Sequence, residues 1–158
     1  MPSPIVRRYR DVLVKMGFQP EFSEDGREAV IGFEHEGRRF ALSIDLDDPE
    51  FFFLMSIHGL GAEGLDEAGT AIRARDVNSM LKGVKVVPVP EDALVRFSVE
   101  MFLAKVPPTP DMVGRAVSVL QLAAHEFFRG MSPAAILKAA GRTRKAAKRA
   151  RPRARART

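Results

Sequence analysis

The clearest pattern in the chain runs from Leu94 to Leu103. Val95, Phe97, Val99, Met101 and Leu103 alternate there with Arg96, Ser98 and Glu100. Alternation of that length predicts a strand with one buried face. Ala29, Ile31 and Phe33 repeat the pattern, as do Phe40, Leu42, Ile44 and Leu46, with turn signals at Glu24–Gly26 and His35–Gly37. Val84–Val89 is a β-branched run, joined to the Leu94 strand by Pro-Glu-Asp-Ala turn chemistry. Phe51–Ile57 is apolar at every position but Ser56. Phe51, Phe53, Met55 and Ile57 are assigned to the core face of that strand, which leaves Phe52 and Leu54 on the polar face. That face otherwise carries Glu34, Arg39, Ser43, Asp45, Arg96, Ser98 and Glu100. Two apolar side chains on a wet sheet face suggest a partner contact, and Phe52 and Leu54 are the expected partner-binding residues.

Helical spacing appears three times. Ser3-Pro4 starts a stripe of Ile5, Tyr9, Val12, Leu13 and Met16 that Gly17 closes. Ala71, Ala74, Val77 and Leu81 make a weaker stripe within 65–81, where Gly69 is unfavourable by about 1 kcal/mol. Thr109-Pro110-Asp111 combines an N-cap hydroxyl, a first-turn proline and an acid at the positive end of the helix dipole. Val113, Ala116, Val117, Leu120, Ala124, Phe127, Phe128 and Met131 follow at steps of three and four, with Gly130 as the C-terminal cap. The expected fold is α+β: a helix, a meander of three strands (four with a short Glu21–Ser23 piece), a helix, a hairpin and a closing helix. Its sheet is antiparallel, with the helices on one face and the other face wet.

Composition changes this picture mainly at the C-terminus. The 158 residues carry a net charge of +5. Met1–Leu137 holds 15 Lys+Arg against 20 Asp+Glu, whereas Lys138–Thr158 holds 10 Lys+Arg and no acid. The expected boundaries are therefore an α+β domain over 1–131, then a short helix from Ser132 and a disordered Ala/Arg/Lys tail over 132–158. Arg142, Arg144, Lys145, Lys148, Arg149, Arg151, Arg153, Arg155 and Arg157 are candidate nucleic-acid contacts. They would act through phosphate charge alone, since the tail has no aromatic for base stacking. The chain has no cysteine, which suits a reducing compartment. It shows no leader and no apolar run of the ~18 residues that span a membrane, so a cytoplasmic location is expected.

A helix ending in VNSMLKGVKVVPV, a strand reading LVRFSVEMFL and a closing helix of the form P-x5-AV-x2-L-x2-AAHEFF resemble the YbjN family. That family belongs to the type III secretion chaperone-like group of α+β folds. The similarity covers roughly Ile5–Met131, and Asn78–Phe128 is its most specific part. The resemblance implies a bacterial protein without catalytic residues or cofactor. It also implies a homodimer that holds a protein partner or client against its sheet. Asn78 matches an asparagine of that family, with a structural part near the helix end.

No catalytic set emerges from the remaining residues. Gly59, Gly61 and Gly64 spell G-x-G-x-x-G, but antiparallel strands precede it and no acid follows at the spacing a dinucleotide site needs. Asp45, Asp47, Asp48 and Glu50 share a loop without the register of a calcium site. His35, His58 and His125 lack partners at metal-ligand spacing, and no serine sits in a nucleophile elbow. The expected function is a non-catalytic protein-binding module, chaperone-like or regulatory. The alternative is a nucleic-acid-associated protein that uses its basic tail.

Overall fold

The structure, a computed structural model, describes residues 2–60 and 65–130. The elements are α1 (Pro4–Lys15), β1 (Glu21–Asp25), β2 (Glu28–His35), β3 (Arg38–Asp45), β4 (Phe51–Gly59), α2 (Glu67–Met80), β5 (Lys85–Val89), β6 (Leu94–Phe102) and α3 (Pro110–Phe128). The six strands form one antiparallel sheet in the order β1-β2-β3-β4-β6-β5. The α+β architecture is the one expected, with the short β1 piece completing a four-stranded meander.

Local chemistry starts and stops the helices. The Ser3 hydroxyl accepts from the Val6 amide at 3.4 Å, and Thr109 Oγ1 accepts from the Met112 amide at 3.3 Å. Asp66 Oδ1 caps α2 by accepting from the Gly69 amide at 2.7 Å. A Cβ at Gly69 would stand 3.0 Å from that carboxylate oxygen, so the glycine makes room for the cap. The β2–β3 turn places Glu36 at φ 50° and Gly37 at φ 72°. Two successive positive φ values match the right-handed twist of a two-residue hairpin.

All three helices contribute to a single core on one face of the sheet. Tyr9, Leu13, Val117, Leu120 and Phe127 meet Ile31, Phe40, Leu42, Ile44 and Phe97 there. The Tyr9 hydroxyl also donates to the Pro49 carbonyl at 2.8 Å, tying α1 to the β3–β4 loop. α2 buries Thr70, Ala74 and Val77, whereas Ala71, expected on that stripe, is exposed.

The face assignment of β4 is corrected. Phe52 is 1% exposed and Leu54 0%, and both belong to the core. Leu54 pairs in register with Leu42 on β3 and Val99 on β6, and directly opposed residues share a face. Ser56 lies opposite Phe40 and Phe97 and so also points inward, where it is 2% exposed. Ser56, the lone polar residue of the run, thus shares the parity of the core residues Phe52 and Leu54. Inside, its hydroxyl lies 3.3 Å from His58 Nε2, so its burial leaves no polar group stranded.

Asn78, near the end of α2, reaches the edge strand β5. Its side-chain nitrogen donates to the Val86 carbonyl at 3.0 Å, and its oxygen accepts from the Val86 amide at 2.8 Å. The amide thus stands where a further strand would otherwise pair.

Two stability outcomes follow. Leu54→Ala is expected to cost about 2–5 kcal/mol in urea unfolding, against less than about 1 kcal/mol for Met55→Ala on the other face. The opposite ranking would restore the parity first expected. Asn78→Ala is expected to cost about 1–3 kcal/mol, because it leaves both Val86 backbone groups without a protein partner.

Candidate protein-binding surface

The parity of β4 decides what the open face carries. Phe51, Phe53, Met55 and Ile57 form a column down the middle of the sheet on the side away from the helices. These are the residues assigned from the sequence to the core. Phe52 and Leu54, expected on this surface, lie beneath it in the core. On β6 the same face shows Leu94 and Phe102, and on β5 Val87 and Val89. Ile57 is 42% exposed and Phe102 75%. Phe51 meets Phe102 edge-on, with ring centroids 5.4 Å apart. None of the column belongs to the core cluster.

Charged pairs rim this column. Arg39 and Glu21 lie 3.5 Å apart, Arg27 and Asp47 3.3 Å, and Lys85 pairs with Glu100. Each such exposed pair contributes at most about 1 kcal/mol. Their arrangement matters more, since an apolar centre with a polar rim is the anatomy of a protein interface. The edges of the sheet are less inviting. β1 is a five-residue strand bearing Glu21, Glu24 and Asp25, while β5 carries Pro88 and has its outward backbone engaged by Asn78.

The other sequence candidates stay apart. The tail positions Arg142, Arg144, Lys145, Lys148, Arg149, Arg151, Arg153, Arg155 and Arg157 lie outside the described residues, as do Gly61, Gly64, Met131 and the helix expected from Ser132. Gly59 ends a strand paired antiparallel to β6, which is not the parallel unit a dinucleotide fingerprint requires. In the acidic loop, Asp45 Oδ1 accepts from the Asp47 amide at 2.9 Å, and Asp47 also pairs with Arg27. Among the described residues no three side chains gather as metal ligands.

Among the described residues, Ser56 and His58 are the one hydroxyl–imidazole pair whose spacing invites a catalytic interpretation. They face the core, and His58 packs against Phe97 and Phe128 at centroid distances of 5.2 and 5.8 Å. Burial, followed by the nearby Arg38 charge, pushes the imidazole down from 6.5 to about 4. Such a group is neutral near pH 7 and a weak base, so the pair serves as an internal hydrogen bond.

No family model matches the sequence, and no curated protein matches it. Solved structures do resemble the fold. A chain of the HopA1–SchA chaperone–effector complex superposes with a TM-score of 0.54 at 12% identity, over 80% of this chain and 98% of that one. YbjN from E. coli, described as a suggested transcription regulator, superposes with a TM-score of 0.52 at 15% identity, over 79% and 94%. The chain has the YbjN and secretion chaperone-like fold. The resemblance seen in VNSMLKGVKVVPV and LVRFSVEMFL thus extends to three dimensions, at identities that speak for the fold alone. Among the described residues, no helix of this YbjN-like fold is long and apolar enough to cross a membrane.

His58 makes the stability of the fold pH-dependent. The unfolded chain takes up its proton near pH 6.5, while the folded chain resists doing so until about pH 4. The stabilising effect is therefore complete above about pH 6.5 and declines as the pH falls toward 4. At ~1.4 kcal/mol per pKa unit, the full loss is on the order of 3 kcal/mol. Thermal melts should show Tm falling across this window, with a shallower fall in His58→Gln. Equal slopes for the two proteins would assign the effect to other groups.

Proposed function

We propose that this chain is a non-catalytic protein-binding module that receives a partner segment on the open face of its sheet. The observation that carries this is the column Phe51, Phe53, Met55 and Ile57, apolar in the middle of the sheet and covered by none of the three helices. Leaving such a surface in water forgoes roughly 25 cal/mol for each Å² that a partner could bury. A module whose task is to be covered gains what a solitary domain would lose. The HopA1–SchA structure, a chaperone–effector complex, supports the reading because the same fold occurs there in a protein–protein assembly. A homodimer is part of the proposal; the cysteine-free composition supports a reducing, cytoplasmic setting, and the resemblance to the YbjN family supports a bacterial one.

A photo-cross-linking amino acid placed at position 53 in growing cells is expected to capture a discrete protein. The same probe at position 72, an exposed isoleucine on α2, should not capture it. Equal labelling at both positions, or none at position 53, would reject the surface. Sedimentation of the purified chain then tells whether the captured protein is a second copy.

The tail sustains a second proposal, nucleic-acid association, on its ten basic residues with no acid between Lys138 and Thr158. Full-length protein is expected to bind duplex DNA with affinity that falls steeply with salt, and a Met1–Leu137 fragment is not. Equal binding by the fragment would remove the tail from that role.

A further inference from the structure

Three arginines among the described residues are half-buried: Arg38, Arg73 and Arg96. Two of them have acceptors. Arg38 Nη1 donates to the Gln121 carbonyl at 3.2 Å, and Arg73 Nη1 donates to the carbonyls of Phe127 and Arg129 at 2.8 Å each. Arg96 differs. Its Nε is buried with no hydrogen-bond partner, the one such side-chain atom found among the described residues. It also makes no ion pair there.

Its place in the sheet explains the isolation. Arg96 lies on the open face between Ile57 on β4 and Val87 on β5. Among the open-face positions of β4, β5 and β6, Glu100 is the single acid. Lys85 and the Ser98 hydroxyl already occupy that carboxylate. A cation is thus set into an apolar surface with no acid paired to it among the described residues.

We propose that Arg96 is the polar anchor of this surface, pairing with an Asp or Glu carboxylate carried by the partner segment among apolar side chains. The inference rests on the open face being the binding surface and adds the chemistry of its occupant. An apolar segment laid over the column strips water from the guanidinium, and a desolvated charge is tolerated only when paired. The planar fork of arginine matches a carboxylate at two points, so it also fixes the register of the segment along the sheet. A second copy of this face is a poorer occupant, since it would bring another Arg96 and a Glu100 already held by Lys85. A nucleic-acid backbone would find one unpaired cation among Phe53, Met55 and Ile57 rather than a basic track.

The test selects dodecapeptides from a random display library against the full chain and measures the enriched peptides by fluorescence anisotropy. Enriched peptides are expected to share one acid flanked by apolar residues. Replacing that acid by its amide should weaken binding to the wild type by at least about tenfold. The same replacement should have little effect on Arg96→Met, which keeps the aliphatic stem, and Arg96→Lys should recover part of the loss. Enriched peptides without an acid would overturn the anchor. So would an acid whose replacement costs as much in Arg96→Met as in the wild type. In either case, loss of binding in Phe53→Ser/Met55→Ser would leave the open face standing as the binding surface. Binding that survives Phe53→Ser/Met55→Ser, or no enrichment, would overturn both. Self-association that disappears in that double variant would make a second copy the occupant and reject the foreign carboxylate.

Discussion

Everything in this molecule depends on the two antiparallel registers that hold β4. β3 fixes it on one side through Leu42 opposite Leu54, and β6 on the other through Val99 opposite the same residue. Backbone pairing continues past both ends, where Leu103 donates to the Glu50 carbonyl and Leu60 to the Ala93 carbonyl, each at 2.7 Å. A slip of one residue would exchange the two faces of the strand. It would drive Phe53 and Met55 under the helices and bring Phe52 and Leu54 to the surface. Core and open face are therefore two outcomes of one constraint.

This explains why the sequence reveals some strands and conceals the most informative one. β6 is legible because Arg96, Ser98 and Glu100 interrupt its apolar residues, and charge declares the wet side. β4 sits between two neighbours and is apolar on both faces, so alternation carries no information. Ser56 then points the wrong way, because its hydroxyl is satisfied inside by His58, a long-range consequence of how Phe97 and Phe128 pack. α3 is readable from its cap and its stripe as far as Phe128, with Ala123 the buried position that the stripe leaves out. α2 is not, since its buried contacts are few and include Thr70, whose hydroxyl bonds back to the Asp66 carbonyl at 2.8 Å. The anchor Arg96 looked like any exposed charge. Only the pairing of the neighbouring groups shows that, among the described residues, it has no partner.

The polar groups of the fold follow one rule with few exceptions. Arginines that leave water find carbonyls, Ser56 and His58 find each other, and Asn78 takes both hydrogen bonds of Val86. Buried polar groups are normally satisfied in this way. The exception on the open face is informative against that background.

Asn78 has a consequence for assembly as well as for folding. A sheet that accepts partners along its edges passes a new edge to each newcomer, so addition can repeat without limit and end in fibres. Here the outer backbone of β5 is engaged by a side chain of the same molecule, while the surface left open is a face. A face is consumed when it is covered and offers no copy of itself. Association through it saturates, and its stoichiometry is bounded by geometry instead of by concentration.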